Sequence, residues 1–159
     1  MNTTQNIMST DVTTIRNDDS IINAYRIMKE KDIRHLPVID SNRKVVGMLS
    51  DRDVQKAMVT KKLDEFYNEV QIPSEYTVAN FMNWPVCTVG DKTSIKHLAE
   101  IMIKEKISSL VVESEAGRIE GIVTTTDLLA YLMQSLDEKA HSHWTQWTLA
   151  YYLKDKKRP

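Results

Sequence analysis

The chain has 159 residues, 42% of them hydrophobic and 27% charged, with a formal net charge of −1. A chain of this size buries roughly two thirds of its unfolded surface, so one core forms without a staple, and the single cysteine, Cys87, has no internal disulfide partner, which fits a reducing compartment. Charges of both signs are mixed, which excludes the basic field of a general nucleic-acid binder; no run of about 18 apolar residues spans a membrane and no signal-peptide pattern opens the chain, so a cytoplasmic protein is expected.

Val12–Ile15 reads as a short extended lead-in. Ser20 then precedes Ile21, Ala24, Tyr25 and Met28, an i, i+3, i+4, i+7 stripe. This predicts an amphipathic helix with Asp19 or Ser20 as its N-cap. Ile33–Ile39 and Val45–Leu49 are nearly continuous apolar runs around the polar turn Asp40-Ser41-Asn42. They predict a hairpin whose strands are covered on both faces. A second helix is expected from near Asp53. Residues 60–80 are polar at Lys61-Lys62-Leu63-Asp64-Glu65 and interrupted at Pro73-Ser74, and read as a linker holding a short helix.

The same order then recurs. Val86–Val89 is a lead-in, and Thr93 or Ser94 caps a helix striped by Ile95, Leu98, Ala99 and Met102. Ile107–Val112 and Ile119–Val123 flank the turn Ser114-Glu115-Ala116-Gly117, and a second helix is expected from near Asp127. Its pattern continues through Leu129, Leu132, Met133, Leu136, Ala140, Trp144, Trp147 and Tyr151 toward Leu153, long for a globular helix. The aromatic end, with Tyr152, needs cover from this chain or another. Lys154, Lys156, Lys157 and Arg158 form a small basic tail, read as a solvated terminus.

Residues 7–55 thus recur as residues 81–129 at a constant offset of 74. Identical pairs include Met8/Met82, Val12/Val86, Ser20/Ser94, Leu36/Leu110, Gly47/Gly121 and Asp53/Asp127. The reading is one α+β unit made twice, with any site formed twice or between the copies. The expected boundaries are repeat one at 1–59, linker at 60–80, repeat two at 81–135 and a C-terminal helical extension at 136–159.

After each second strand comes glycine, two apolar residues, a hydroxyl, two residues and aspartate. Copy one reads Gly47-Met48-Leu49-Ser50-Asp51-Arg52-Asp53, and copy two Gly121-Ile122-Val123-Thr124-Thr125-Thr126-Asp127. A strand feeding a helix N-terminus offers unpaired N–H groups and a positive dipole end, which favour phosphate. The hydroxyl of Ser50 or Thr124 adds a donor. A carboxylate three residues on accepts the two hydroxyls of a ribose. The glycine permits close backbone approach or serves strand packing. Hydroxyl then aspartate is also an ordinary helix cap, but its recurrence inside a matched repeat makes capping alone a poorer account.

With these motifs, and with Ile33-Arg34-His35-Leu36-Pro37-Val38-Ile39-Asp40 and Ile107-Ser108-Ser109-Leu110-Val111-Val112, residues 5–135 resemble the CBS-domain family, as a tandem pair or Bateman module. The resemblance implies two βαββα units packed through their sheets with pseudo-two-fold symmetry, to which the apolar pattern beyond Asp127 adds a long C-terminal helix. It implies adenosine-nucleotide binding in two clefts, without chemistry on the ligand, in a regulatory module that often dimerises. Carried over, one cleft joins Thr124, Thr125, Thr126 and Asp127 to Asp19, Ala24, Arg34 and His35. The other joins Ser50, Asp51, Arg52 and Asp53 to Thr93, Leu98, Ser108 and Ser109, with Ile33 and Ile107 flanking the adenine. Arg34 and His35 put cations where copy two has Ser108 and Ser109, so the Asp127 cleft is expected to hold phosphate better. Asp19 stands where the family often has threonine, and its charge would repel phosphate.

Other constellations carry less. His141 and His143 do not share a helical face, and no acidic or cysteine cluster completes a metal site around them. Cys87 has no adjacent base for nucleophilic chemistry. Asp51 and Asp53 are not a recurring carboxylate pair, which argues against acid–base work. The methionines at 28, 48, 58, 102 and 133 sit at core-like positions. The expectation is a regulatory sensor of AMP, ADP or ATP, with S-adenosylmethionine or NAD also open, no required cofactor, a homodimeric state and an unidentified regulated partner. The alternative is a scaffold whose clefts stay empty.

Overall fold

A computed structural model describes residues 2–62 and 68–137 of the chain. The first repeat contains β1 (Ile15–Arg16), α1 (Ile21–Lys31), β2 (His35–Ile39), β3 (Val45–Ser50) and α2 (Asp51–Lys56). A hairpin of β4 (Val59–Lys62) and β5 (Asn68–Gln71) follows. The second repeat contains β6 (Thr88–Val89), α3 (Ile95–Glu105), β7 (Ser109–Glu113), β8 (Ile119–Thr124) and α4 (Thr125–Asp137). The fold is α+β, two sheet-and-helix repeats related by pseudo-two-fold symmetry.

Each repeat builds a three-stranded sheet in the order lead-in, first hairpin strand, second hairpin strand. The lead-in pairs in parallel, Ile15 with Val38 and Val89 with Val112, and the hairpins pair antiparallel. Even the register irregularity recurs, between Val38 and Ile39 and between Val112 and Glu113. Helices α1 and α3 are capped as the spacing predicts: Ser20 Oγ accepts from the Asn23 N–H at 3.1 Å and Ser94 Oγ from the His97 N–H at 3.2 Å. Both helices end on a left-handed residue, Asp32 at φ 52° and Lys106 at φ 55°.

Four expectations change. The first hairpin strands are covered along their length, but β3 and β8 alternate buried and part-exposed residues. Only the inner strand of each hairpin is therefore sandwiched. Val59–Lys62 and Asn68–Gln71, all but Val59 expected within a linker holding a short helix, pair as antiparallel strands β4 and β5 instead, and among the described residues of that stretch the helical element is a single 3-10 turn at Val78–Asn80. The charged flanks hid β-branched Val59, Thr60 and Val70, which favour extended backbone. Met133 is 57% exposed rather than core, whereas Met28 and Met102 are buried. The second helices begin at Asp51 and Thr125, two residues before the expected aspartates, and the continuation toward Leu153 lies outside the described residues.

The segments just ahead of the lead-ins cross between repeats. Residues 3–9 bind repeat two: the Thr4 N–H donates to Thr93 O at 2.8 Å, and Ser9 pairs with Ile122. Residues 77–83 bind repeat one: the Val78 N–H donates to Asp19 O at 2.8 Å, and Asn83 pairs with Met48. Each core follows suit. Leu36, Val38, Leu49 and Ile21 pack with Val78, Phe81 and Met82 from the crossing segment. Leu98, Leu110, Val112 and Val123 pack with Ile7 and Met8. The crossing explains the motif glycines. A Cβ on Gly47 would lie 2.7 Å from Met82 Sδ and 3.1 Å from Asn83 O. One on Gly121 would lie 2.7 Å from Met8 Sδ and 3.0 Å from Ser9 O. Close approach of the crossing segment, not strand packing alone, demands glycine there.

Candidate functional site

Two cavities lie between the repeats, and the pseudo-symmetry relates them. The first has a volume of about 470 Å³ and is lined by Ile33, Arg34 and His35 from repeat one, and by Thr124–Asp127 from repeat two. The second, of about 720 Å³, is lined by Ile107, Ser108 and Ser109 with Ser50, Arg52 and Asp53. Both fall in the roughly 300–1,000 Å³ range of small-molecule sites. His35, Ser50, Arg52 and Ser108 border both and form the wall between them.

Most of the residues expected from the sequence meet there, with corrections. Ala24 and Leu98 are fully buried in the two cores and line neither cavity. Their helices turn those small and branched side chains inward, onto the sheets. Asp19 also lies away from the cavities, because its carboxylate accepts from the Ser20 N–H at 2.7 Å and from Asn23 Nδ2 at 2.8 Å at the start of α1. The feared repulsion of phosphate by Asp19 therefore has no geometric basis at this cavity. Thr93 borders a separate surface depression beside Glu113 and Glu120. Asp51 lines the first cavity rather than the second.

Six lining positions of the first cavity and nine of the second escaped the sequence reading. Among them, Ser9, Asp11, Val12 and Thr13 line the first, and Asn83, Pro85, Val86 and Cys87 line the second. Their signal was present in the repeat, since Met8/Met82 and Val12/Val86 are identical pairs. Ser9 and Asn83 reach the cavities on the segments that cross between repeats, and the residues after them follow along the chain. Lys56 of the second cavity was also missed.

The hydroxyl–aspartate motif is a reciprocal cap in both copies. Ser50 Oγ donates to Asp53 Oδ2 at 2.5 Å, and the Ser50 N–H to the same oxygen at 3.0 Å. Thr124 Oγ1 and the Thr124 N–H both donate to Asp127 Oδ2 at 2.7 Å. These hydroxyl protons are spent on the carboxylates, so Ser50 and Thr124 are not free phosphate donors. The helix amides are also less available than expected. The Asp51 N–H donates to Arg34 O at 2.9 Å and the Thr125 N–H to Ser108 O at 3.0 Å. The arrangement thus leaves side chains, rather than these amides and hydroxyls, available to an anion.

Those side chains reach across the first cavity. Arg34 Nη2 donates to Thr126 Oγ1 at 3.2 Å, and His35 Nε2 lies 2.9 Å from Ser108 Oγ. Burial pushes the His35 pKa below its usual 6.5, outweighing the attraction of Asp51. The imidazole is therefore neutral at pH 7 and serves as a hydrogen-bonding group, not the cation expected from the sequence. Arg34 and Arg52 supply the positive charge. In the second cavity, burial raises the Asp53 pKa, but hydrogen bonds from Lys56 and Ser50 outweigh it, so the carboxyl stays ionised below the usual range. Burial, with Glu105 nearby, pushes the Cys87 thiol up, which argues against a reactive thiolate.

The CBS domain family model matches residues 5–60 and again residues 78–134, one match on each repeat. The chain belongs to the CBS-domain family. Among solved structures, the CBS domain pair of protein MJ0100, in complex with 5′-methylthioadenosine and S-adenosyl-L-methionine, superposes with a TM-score of 0.70 at 27% identity. It covers 85% of this chain and 98% of that one. The CBS domain protein TA0289 from Thermoplasma acidophilum, of unknown function, gives a TM-score of 0.67 at 28% identity, over 81% of this chain and 68% of that one. Among curated proteins, a CBS domain-containing protein of Dictyostelium discoideum is 29% identical over 82% of this chain and 91% of its own length. An inosine-5′-monophosphate dehydrogenase of Korarchaeum cryptofilum is 35% identical over 74% of this chain. A homoserine O-acetyltransferase of Methanohalobium evestigatum is 32% identical over 77% of it. This CBS pair spans only 22% of the length of each of those two enzymes. Among the described residues, no helix is long and apolar enough to cross a membrane.

Proposed function

We propose that this CBS pair is a regulatory sensor that binds an adenosine nucleotide in the cavity beside Asp127. AMP, ADP and ATP are the preferred ligands, with S-adenosylmethionine, 5′-methylthioadenosine and NAD as the nearest alternatives. One observation carries the reading: Arg34 and His35 of repeat one face Thr124–Asp127 of repeat two around a single cavity of about 470 Å³. Asp127 accepts the ribose hydroxyls, Ile33 and Val12 flank the base, and Arg34 with Thr126 binds phosphate. The adenosyl ligands of the MJ0100 pair support the ligand class. The cavity residues hold and orient, and the reading includes no chemistry on the ligand.

Both walls of the site belong to different repeats, so occupancy biases the angle between them. A ligand shifts that angle only as far as it binds two arrangements unequally. The readout is a dimer interface or a regulated protein. Helix α4, whose Leu129, Leu132, Met133 and Leu136 are more than half exposed, is the output surface. Trp144, Trp147, Tyr151 and Tyr152 of the same expected helix lie outside the described residues.

Isothermal titration calorimetry tests the assignment. Wild type should bind AMP, ADP or ATP, and Asp127→Ala should abolish the heat. Arg34→Ala should weaken a phosphate-bearing ligand tenfold or more, from the roughly 1.5–3 kcal/mol worth of a charged hydrogen bond, and leave adenosine unchanged. Heat that survives Asp127→Ala sinks the site. Absence of binding by wild type favours the alternative, a scaffold with unfilled clefts. The cross-repeat bonds Arg34–Thr126 and His35–Ser108, which tie the repeats through protein groups, favour that second reading.

A further inference from the structure

The two cavities rest on the same backbone bridge and differ in the side chain it carries. At the second cavity the Met48 N–H donates to Asn83 O at 3.0 Å and the Asn83 N–H to Met48 O at 2.8 Å. At the first, the symmetry mates Ser9 and Ile122 exchange the same two bonds, both at 3.0 Å. The bridge at Asn83 aims a carboxamide at the motif aspartate, and Asn83 Nδ2 donates to Asp53 Oδ2 at 2.7 Å. Ser9 is too short to repeat this, and among the described residues Asp127 takes side-chain bonds from Thr124 alone. Within α2, Lys56 Nζ donates to Asp53 Oδ1 at 2.7 Å. The residue 74 positions on is Ala130, which has nothing to offer. Both Asp53 oxygens are therefore engaged, and the residue is 2% exposed. Asp127 is half-buried, with Oδ1 free of hydrogen bonds among the described residues.

We infer that Lys56 and Asn83 close the Asp53 cavity to a ribose, so that each chain takes one nucleotide rather than two. The inference rests on the proposed nucleotide site at Asp127 and sets its stoichiometry. A ribose entering beside Asp53 must displace an ammonium group from a buried carboxylate. Neutral hydroxyls do not replace a charge-assisted bond of that strength, and stripping a buried carboxylate of its counter-charge is costly. At Asp127 an incoming diol displaces nothing. Two substitutions between the copies, Asn83 for Ser9 and Lys56 for Ala130, thus sort one ligand-accepting cleft from one self-satisfied cleft.

Calorimetric titration of the full chain with AMP, and then with ADP and ATP, decides it. Wild type should show one site per chain. Lys56→Ala combined with Asn83→Ser should show two, with the original site retained as proof of folding. Adding Asp127→Asn to that variant should leave one. The reverse graft, Ser9→Asn with Ala130→Lys, should weaken the wild-type site at least tenfold while the circular dichroism spectrum stays native. Two sites in wild type overturn the inference and leave the nucleotide reading standing. So does an opened variant that keeps the first site and gains no second, or a graft that binds like wild type. If the opened variant fails to fold, the graft alone decides. Wild type without any site overturns the nucleotide reading and this inference together.

Discussion

Asp53 and Asp127 occupy one position in the repeat, yet their surroundings give them different chemistry. Asp53 is buried with an ion pair to Lys56 and three bonds from Ser50 and Asn83. Its folded pKa lies below the ordinary 3.8, so the stability it contributes is fully present above about that pH and is lost as the pH falls through the folded value. Lys56→Ala removes one of the groups that hold the pKa down. The acid-unfolding midpoint, followed by circular dichroism, should therefore move to higher pH. At pH 7 the substitution should cost about 1–2 kcal/mol, between an exposed pair and a buried charged bond. An unmoved acid midpoint would show that Lys56 leaves the carboxylate untouched. His35 runs the other way. Its folded pKa is depressed, so the unfolded chain takes the proton first, and stability declines as the pH falls below 6.5.

Among the elements, the hairpins and the crossing segments determine where the cavities sit. Strands β3 and β8 alternate because one face, with Gly47 and Gly121, meets the core and the crossing methionine, while the other turns Met48, Ser50, Ile122 and Thr124 to the cavities. Gly47 and Gly121 are the contact points, each under a methionine sulfur that a Cβ would approach at 2.7 Å. The methionine side chain can swing aside, but the backbone oxygens at 3.1 and 3.0 Å cannot. Gly47→Ala and Gly121→Ala should each destabilise by about 1–3 kcal/mol, as overpacking does. Urea unfolding should show this as a lower midpoint at unchanged slope. Because Ser9 and Asn83 ride on those same segments, either substitution should also loosen the neighbouring cavity, and Gly121→Ala should weaken nucleotide binding.

For the whole molecule, the repeats are tied together by the crossing segments and by the Arg34–Thr126 and His35–Ser108 contacts. A ligand seated between them stabilises the folded state by mass action, about 2.7 kcal/mol at a hundred times its Kd. That corresponds to a rise in Tm of roughly 5–10 °C for a chain of this size. Differential scanning fluorimetry with AMP, ADP or ATP should show it in wild type and not in Asp127→Ala. A shift of the same size in both proteins would place the ligand elsewhere.

The repeat, the helix caps at Ser20 and Ser94, the hairpins and the pair of motif aspartates were legible from residue order alone. Each is a local pattern, set by periodicity, turn chemistry and recurrence at one offset. Tertiary structure decided the rest. It alone showed that the segment ahead of each lead-in serves the opposite repeat, that Ala24 and Leu98 face the cores, and that Asp19 caps a helix away from the cavities. It also showed that burial leaves His35 uncharged at neutral pH, and that residues thirty positions apart, Asn83 and Asp53, meet within 2.7 Å. These outcomes depend on which surfaces exclude water and which distant segments share a wall, and no local spacing records either.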